Sequence, residues 1–261
     1  MRELSIEEYK TRVLNVLVKI DEICRENGFK YFIFYGTLLG AVRHKGFIPW
    51  DDDIDIVMFR DDYYKLADYI IAHPELGLNY IDIYNRDDTI YYCAKVCDAE
   101  TIVKESSFVT IDGYGAFVDI FPLDYLEEDE SKRKKVLKRE LFWEKVHQHA
   151  SMQRRKNAGF LKSAADWFSH FFDASKIIRK MHERYMENDK TPTRYMGLPF
   201  DKSVYDVEWL KESVDLEFDG HKFIAPKEYD TVLTATYGDY MKLPPEEDRV
   251  YKHSLDCYLK D

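Results

Sequence analysis

The hydrophobic pattern predicts an amphipathic helix near the start of the chain. Apolar residues recur at helical spacing from Ile6 to Cys24, and Ser5 and Glu8 fit a capping box. Because Asn27-Gly28 is a typical helix end, we expect the helix to cover residues 5–26. One face of this helix should pack on a sheet.

Short aromatic and β-branched segments further along predict that sheet. Strands are expected at 31–35, at Val57-Met58-Phe59, and at 78–84, 90–97 and 115–121. Helices are expected at 38–42 and 61–73, so the fold class is α/β (α+β), a mixed sheet flanked by helices. From about 129 to 190 the pattern is helical. A hairpin around Asp219-Gly220 and a helix that opens at Pro226 follow.

Composition narrows the classes of protein. The formal charge is −11, with 49 acidic and 38 basic residues, which argues against nonspecific nucleic-acid binding. The four cysteines have no zinc-finger spacing, so buried thiols are expected. No signal peptide or long apolar run is present in the sequence, which predicts a cytoplasmic protein.

Alternating acids between Pro49 and Phe59 are the main candidate for chemistry. In an extended strand Asp51, Asp53 and Asp55 would share one face, and Asp52 would point the other way. Crowded carboxylates favour a bound cation, and oxygen ligands favour Mg²⁺, Mn²⁺ or Ca²⁺ over zinc.

The same acids allow two other interpretations. A calcium-binding EF-hand is disfavoured because Ile56 stands at the place of its turn glycine and Asp62 at that of its bidentate glutamate. An exposed acidic strand edge is the structural alternative. The neighbouring Pro49-Trp50 and Ile54 instead favour a buried frame around the acids.

Longer motifs resemble a known family. Gly36-Thr37 followed by an acid-x-acid strand is similar to the nucleotidyltransferase superfamily pattern. Tyr35-Gly-Thr-Leu-Leu-Gly-Ala-Val-Arg-His44 and Phe47-Ile-Pro-Trp-Asp-Asp-Asp-Ile-Asp-Ile56 resemble the LicD family of phosphocholine transferases, which is related to fukutin and fukutin-related protein. The resemblance continues in Gly115-Ala-Phe-Val-Asp-Ile-Phe-Pro-Leu-Asp124, in Tyr237–Pro245 and at His253. It spans about 5–125 and 220–255.

The resemblance implies a nucleotidyltransferase-like fold and a divalent metal, Mg²⁺ or Mn²⁺. It implies transfer of a phospho-alcohol, most familiarly phosphocholine from CDP-choline, to a sugar hydroxyl of teichoic acid or lipopolysaccharide. Residues 1–128 would form the catalytic core, 129–200 a helical insertion or subdomain, and 201–261 the part that completes the catalytic domain. Transfer of a polyol phosphate such as ribitol phosphate, or of a nucleotidyl group, is the alternative within the superfamily. A noncatalytic metal- or glycan-binding protein is the alternative outside it.

The same resemblance suggests roles for single acids. Asp53 and Asp55 match the acid-x-acid pattern and Asp119 matches the third carboxylate, so these three are the expected metal ligands. Asp51 completes the catalytic set, either as a further ligand or as the base that accepts the acceptor's hydroxyl proton.

Candidate substrate-binding residues surround these acids. Gly36 and Thr37 would approach donor phosphates, and Arg43 suits bidentate phosphate contact, with His44 beside it. Lys95, a charge in an apolar strand, and His253, in the tail, are further candidates for substrate binding, with a structural role as the alternative. Asp124 could cap a helix or contact substrate. A choline headgroup would favour an aromatic cage, for which candidates near the motifs are Tyr35, Trp50, Tyr91, Tyr92 and Tyr114.

The basic helical segment raises the question of a membrane partner. The runs Lys132–Lys135 and Arg154–Lys156 and the aromatic cluster Trp167–Phe172 could contact anionic lipid, which would place the protein at the inner face of the membrane near a lipid-linked acceptor. A solvated basic face over a packed aromatic core is the alternative.

Overall fold

The computed structural model describes residues 1–105, 111–151, 172–189, 191–198, 202–251 and 255–261. The α-helices in these residues are α1 (Ile6–Asn27), α2 (Tyr35–Arg43), α3 (Arg60–Ala72), α4 (Glu130–Ser151), α5 (Ala174–Asp189) and α6 (Tyr229–Tyr237). The strands are β1 (Arg2–Glu3), β2 (Tyr31–Ile33), β3 (Asp55–Phe59), β4 (Leu78–Ile81), β5 (Ala94–Asp98), β6 (Thr101–Glu105), β7 (Phe117–Tyr125), β8 (Tyr195–Gly197), β9 (Val204–Asp206), β10 (Ser213–Phe218), β11 (His221–Pro226) and β12 (Leu255–Leu259).

Helix α1 forms as its sequence predicts. The Ser5 hydroxyl accepts a hydrogen bond from the Glu8 amide, and the Glu8 carboxylate accepts one from the Ser5 amide, which completes the capping box. Gly28 ends the helix in the left-handed conformation, with φ 70°. The apolar face, from Tyr9 to Cys24, is buried against the central sheet.

The central sheet is mixed, which confirms the predicted fold class. Its main order is β2-β3-β7-β5-β4, and β8 and β9 continue from the far end of β7. Strands β3 and β7 are parallel, whereas β2, β5 and β8 pair antiparallel to their neighbours. Strands β3 and β7, almost entirely buried, therefore lie at the centre of the sheet.

Two smaller sheets complete the fold. Strands β1, β12 and β6 form one sheet, and β10 and β11 form the predicted hairpin. Its turn residues Asp219 and Gly220 both have positive φ, 45° and 77°, as two-residue hairpin turns require. The hairpin tip contacts the loop after α2: the Asp219 amide donates to the Lys45 carbonyl at 2.8 Å, and a Cβ on Gly46 would overlap the Asp219 carboxylate.

Helix α5 is attached to the sheet by a buried polar network. Arg60, the first residue of α3, makes two hydrogen bonds to the Asp124 carboxylate on β7, one of them 2.7 Å long. A third Arg60 nitrogen lies 3.3 Å from Nδ1 of His182 on α5, and His182 Nε2 donates to the Tyr92 carbonyl at 3.0 Å. Asp124 thus holds an arginine and does not cap a helix.

Several predicted elements differ from those observed. The predicted strand at 90–97 begins only at Ala94, and the helix predicted at 38–42 begins at Tyr35. The helix predicted from Pro226 begins at Tyr229. The short strands β1, β6, β8, β9 and β12 were not predicted, because two to five residues carry too little periodicity to distinguish a strand from a loop.

Other predictions concern side chains and surfaces. All four cysteines are free and buried, as predicted. In the described residues no helix is long and apolar enough to cross a membrane. Lys132, Lys134 and Lys135 on α4 are exposed and Arg133 is half-buried, whereas Arg154–Lys156 and the residues from Trp167 to Phe171 lie outside the described residues.

Candidate active site

The site begins with three charged residues in one row across the sheet. Asp55 on β3 pairs in register with Asp119 on β7, and Asp119 pairs with Lys95 on β5. Neighbouring strands are about 4.8 Å apart, and residues in register share a face, so the three side chains extend from the same face. The Lys95 ammonium contacts Oδ1 of Asp119 at 2.6 Å.

Backbone hydrogen bonds fix the two aspartates of this row. The Asp55 amide donates to the Thr37 hydroxyl at 2.8 Å, and the Asp119 amide donates to the Ile54 carbonyl at 2.9 Å. Thr37 is only 2% exposed. Its observed contact is therefore with the strand that carries Asp55, while its predicted role toward the donor stays a prediction.

The segment Asp51–Ile54 is a loop, which corrects the expectation that all three alternating acids belong to one strand. The Asp51 amide donates to the Ile48 carbonyl at 2.9 Å, so the chain turns at Pro49-Trp50, and β3 begins only at Asp55. In this turn a carboxylate oxygen from each of Asp51, Asp52 and Asp53 lies within 4.8 Å of the other two. Asp52 differs from its two neighbours in burial, since it is buried and they are half-buried, and its expected opposite orientation stays a prediction.

Gly36 brings the first turn of α2 against Asp51. A Cβ at position 36 would lie 2.6 Å from Oδ2 of Asp51, closer than real Cβ contacts allow. Gly36 and Thr37 belong to this first helical turn, whose N-terminal amides carry partial positive charge. The absence of a side chain at position 36 therefore lets the Asp51 carboxylate lie directly beside the helix start.

Burial and mutual repulsion disfavour ionisation of the acids in the row. Burial raises the pKa of Asp55 well above its ordinary value, the charges of Asp53, Asp119 and Asp51 raise it further, and Lys95 opposes the shift. Burial also raises the pKa of Asp119, although the Lys95 charge works against it. A cation among these oxygens would offset the repulsion.

The donor set fits a hard divalent cation. All the candidate ligands are carboxylate oxygens, the type that Mg²⁺ and Mn²⁺ prefer. Two overlapping sets exist: the predicted Asp53, Asp55 and Asp119, joined by strand register and mutual charge effects, and the loop set Asp51, Asp52 and Asp53. Asp53 belongs to both. Asp52 is only 3% exposed and is therefore less accessible than Asp51 and Asp53, which are half-buried.

A cavity of about 440 Å³ opens beside the acids. Its walls combine the start of α2, the loop before the acids and the segment after α6. The lining residues are Gly36, Leu39, Arg43, Ile48, Trp50, Asp51, Tyr237, Asp239, Tyr240, Lys242, Leu243, Pro244 and Pro245. The cavity thus offers two cationic side chains and three aromatic rings next to Asp51.

Arg43 lies in the cavity wall, as a substrate-binding role requires. Its Nη1 donates to the Tyr240 carbonyl at 2.8 Å, and its Nε donates to Nε2 of His44 at 2.9 Å. Burial and the neighbouring Arg43 charge lower the pKa of His44, so His44 is a neutral acceptor at pH 7. His44 therefore orients Arg43, and its predicted contact with substrate stays a prediction.

The aromatic candidates occupy different surroundings. Trp50 lines the cavity, whereas the Tyr35 ring packs edge-on against Phe34 and Phe121. Tyr91 and Tyr114 lie around the Lys95 ammonium. The Tyr92 ring packs edge-on against His147, so among these five candidates only Trp50 lines the cavity beside Asp51. His253 lies outside the described residues.

Tyr237 was not predicted as a site residue. It lines the cavity, and its hydroxyl is close enough to the acids that, after burial, the charges of Asp55 and Asp51 raise its pKa. The available signal was its position as the first residue of the motif Tyr237–Pro245. Tyr240 and Lys242 belong to the same motif and were not predicted either. No spacing rule links these residues to the acids of Asp51–Asp55, which lie almost 190 residues earlier in the chain.

The chain is similar in sequence to known proteins of the family that the motifs resemble. Residues 28–164, just over half of the chain, match the family described as LicD/FKTN/FKRP, nucleotidyltransferase domain. The chain is similar to the lipopolysaccharide cholinephosphotransferase LicD of Haemophilus influenzae, with 30% identity over 277 residues that cover 99% of this chain and 100% of that protein.

Two further relatives match over shorter regions. An uncharacterised protein of Rickettsia prowazekii is 43% identical over 87 residues, which cover 33% of this chain and 31% of that protein. One of Rickettsia typhi is 34% identical over 134 residues, which cover 50% of this chain and 40% of that protein.

Proposed function

Because this chain belongs to the LicD/FKTN/FKRP nucleotidyltransferase-domain family, we propose that it is a phosphotransferase that moves phosphocholine to a sugar hydroxyl of a cell-surface glycan. The observation that carries the proposal is the end-to-end similarity to a lipopolysaccharide cholinephosphotransferase. We extend it to CDP-choline as the donor, Mg²⁺ or Mn²⁺ as the metal, and a glycan of lipopolysaccharide or teichoic acid type as the acceptor.

Asp53, Asp55 and Asp119 are the proposed metal ligands. Their support is the shared register of Asp55 and Asp119 and the electrostatic proximity of Asp53. A bound divalent ion would neutralise charge that develops on the transferred phosphoryl group and on the leaving nucleotide. Thr37 keeps the start of β3 in place through its hydrogen bond to the Asp55 amide.

Asp51 is the proposed base for the acceptor hydroxyl. It lines the cavity, whereas Asp55 and Asp119 lie on the sheet, and proton transfer requires a carboxylate within hydrogen-bond reach of the hydroxyl. Arg43 and Lys242, in the same cavity, would hold the donor diphosphate.

The proposed domain organisation rests on the same contacts. Because the segment after α6 lines this cavity and the hairpin tip contacts Lys45, we propose that residues 1–128 and 201–261 form one catalytic unit and that 129–200 are an insertion.

Product analysis tests the reaction. The protein, incubated with CDP-choline, Mg²⁺ and a lipopolysaccharide or teichoic acid acceptor, should release one CMP for each phosphocholine attached. Omission of the metal should stop the release. Release of pyrophosphate from a nucleoside triphosphate would instead indicate nucleotidyl transfer. A protein that binds metal and glycan but consumes no nucleotide donor would be a binding protein, and the proposal would fail.

A matched pair of variants tests the ligand set. Asp53→Asn should lower kcat by at least about 100-fold, the scale expected when a group that stabilises transition-state charge is lost. Asp52→Asn, one residue away, should keep most of the activity because Asp52 is only 3% exposed and does not belong to the proposed ligand set. Equal loss in Asp52→Asn, with activity kept in Asp55→Asn, would assign the metal to the loop set Asp51, Asp52 and Asp53.

A further inference from the structure

Lys95 is buried and paired with Asp119, an arrangement that a lysine would not need merely to contact the substrate. It is the second residue of β5, with a residue exposure of 6%, and its ammonium contacts Oδ1 of Asp119 at 2.6 Å. Burial lowers the pKa of Lys95, but Asp119, Cys93 and Tyr91 together outweigh that effect and raise it, so the lysine is charged. A buried charge of this kind is stable only with a close partner.

Three aromatic rings enclose the same ammonium. Its nitrogen lies 3.8 Å from the ring centre of Phe117, 4.8 Å from that of Tyr91 and 5.8 Å from that of Tyr114. Tyr114 stacks on Phe117 and is tilted against Tyr91, so the rings also support one another. Ring faces attract a cation, which leaves the ammonium little freedom to turn away from Asp119.

Two side chains hold the Asp119 carboxylate from behind. Lys95 binds Oδ1, and the Cys93 side chain is also hydrogen-bonded to this carboxylate. The fixed ammonium on Oδ1 therefore sets the orientation of Asp119 beside Asp55, its neighbour in register, and Asp53, whose charge also raises the pKa of Asp119. Hydrogen-bond partners behind a ligand are known to set its orientation and its affinity for metal.

We propose that Lys95 is a positioning residue: held by Phe117, Tyr91 and Tyr114, it fixes the Asp119 carboxylate as a preformed ligand for the divalent cation. This inference rests on the proposed function, because it takes Asp119 to be a ligand. It differs from the expectation that Lys95 contacts the donor, since a lysine in this position acts on the substrate only through Asp119.

Mn²⁺ affinity of the full-length protein without nucleotide tests the proposal. Free Mn²⁺ measured by electron paramagnetic resonance gives the Kd. Lys95→Met should weaken Mn²⁺ binding by about 10- to 100-fold, the usual effect of removing a partner behind a metal ligand. Lys95→Arg, which keeps the charge and a donor, should recover part of the affinity. Phe117→Leu, which removes the nearest ring, should have an intermediate effect.

Lys104→Met is the matched control. Lys104 also lies on a strand with its ammonium over an aromatic ring, 5.0 Å from the centre of Tyr258, but it belongs to the separate sheet of β1, β12 and β6. This variant should bind Mn²⁺ as the wild type does. Circular dichroism identifies any variant that fails to fold, and for such a variant Lys95→Arg and Phe117→Leu decide the question.

The possible outcomes are distinct. Unchanged Mn²⁺ affinity in folded Lys95→Met, with a higher KM for the donor, would make Lys95 a substrate-binding residue and overturn the proposal. Tighter Mn²⁺ binding would also overturn it, because Lys95 would then only compete with the metal. A wild-type protein that binds no Mn²⁺ yet transfers phosphocholine would remove both the metal site and this role of Lys95. Metal binding without turnover would contradict only the proposed reaction.

Discussion

Gly36 shows how one residue controls the geometry of the candidate site. Its missing side chain leaves room for Asp51, whose Oδ2 would lie 2.6 Å from a Cβ at that position. The constraint is local, because the neighbour that would be displaced is a carboxylate at the cavity rather than a core side chain. Space at residue 36 is therefore a requirement of the site more than of the fold.

We expect Gly36→Ala to lower kcat by about 10- to 100-fold, since displacement of a reacting group by about 1 Å has effects of this size. The midpoint of thermal unfolding should change little, because alanine is a better helix former than glycine. Steady-state kinetics and thermal unfolding of the same preparations measure both quantities.

A double-mutant cycle supplies the control for Gly36. In an Asp51→Asn background the carboxylate function is already lost, so adding Gly36→Ala should have little further effect on kcat. If the reductions in kcat caused by the two substitutions instead multiply, Gly36 acts on another part of the site and its contact with Asp51 is unimportant.

At the residue scale, sequence patterns predicted which residues belong to the candidate site better than they predicted the contacts of those residues. Asp55 and Asp119 were identified from motifs, and the structure places them side by side in register. The placement of Asp51 and Asp53 on a strand was predicted wrongly, because the alternation rule assumes a continuous strand and the turn at Pro49-Trp50 breaks it. The pairing of Lys95 with Asp119 depends on the register of strands 24 residues apart, which no local pattern encodes.

At the scale of elements, the network of Arg60, Asp124 and His182 connects α3, β7 and α5. Arg60 and Asp124 are 4% and 0% exposed, so either charge alone would be buried without a counter-charge. Burial lowers the pKa of His182 to about 3, and the Arg60 charge contributes, so the imidazole is neutral and Nδ1 can accept from Arg60. The network fixes how the helical part meets the sheet.

Arg60→Met should destabilise the protein by about 3–5 kcal/mol, the range for removal of one partner of a buried ion pair. Urea unfolding followed by circular dichroism measures the loss. Combining Arg60→Met with Asp124→Leu should restore part of it, because the unpaired carboxylate is then gone. If the double variant is less stable than Arg60→Met alone, the pair is not the source of the destabilisation.

Elements differ in how far the sequence determines them. Helix α1 was predicted within one residue at each end because its 22 residues carry a capping box, a repeated apolar face and a terminal glycine. The hairpin was found from its two turn residues. Strands such as β8 and β12 form through tertiary pairing, with β7 and with β1 and β6, and so their own three to five residues cannot reveal them.

For the whole molecule, buried neutral histidines make stability depend on pH. The folded-state pKa of His182 is about 3, and that of His147, lowered by burial, is about 4, against an ordinary value of 6.5. Between pH 6.5 and these lower values, the unfolded chain binds protons that the folded protein does not. Each histidine therefore contributes stability that is present above pH 6.5 and is lost as the pH falls toward its folded-state pKa.

His182→Gln should make the free energy of unfolding less sensitive to acid. Glutamine can still donate to the Tyr92 carbonyl and accept from Arg60, but it does not titrate. Between pH 6 and pH 4.5, the wild type should lose up to about 1.4 kcal/mol per pH unit more than this variant. Urea unfolding at a series of pH values gives both slopes, with His149→Gln, at an exposed position, as the control. Parallel slopes for wild type and His182→Gln would contradict the expectation.

The contact between the hairpin tip and the loop after α2 shows that the family match covers only part of the structure around the candidate site. Residues 28–164 contain all four candidate acids, yet Asp219, which binds the loop leading to those acids, lies outside them, as does Tyr237 in the cavity wall. A fragment cut at the borders of the family match would keep every acid and lose the parts that position them. We therefore expect insertions at the turn of Asp219 and Gly220 to act as active-site changes, although the turn lies more than 160 residues from Asp51, Asp53 and Asp55 in the chain.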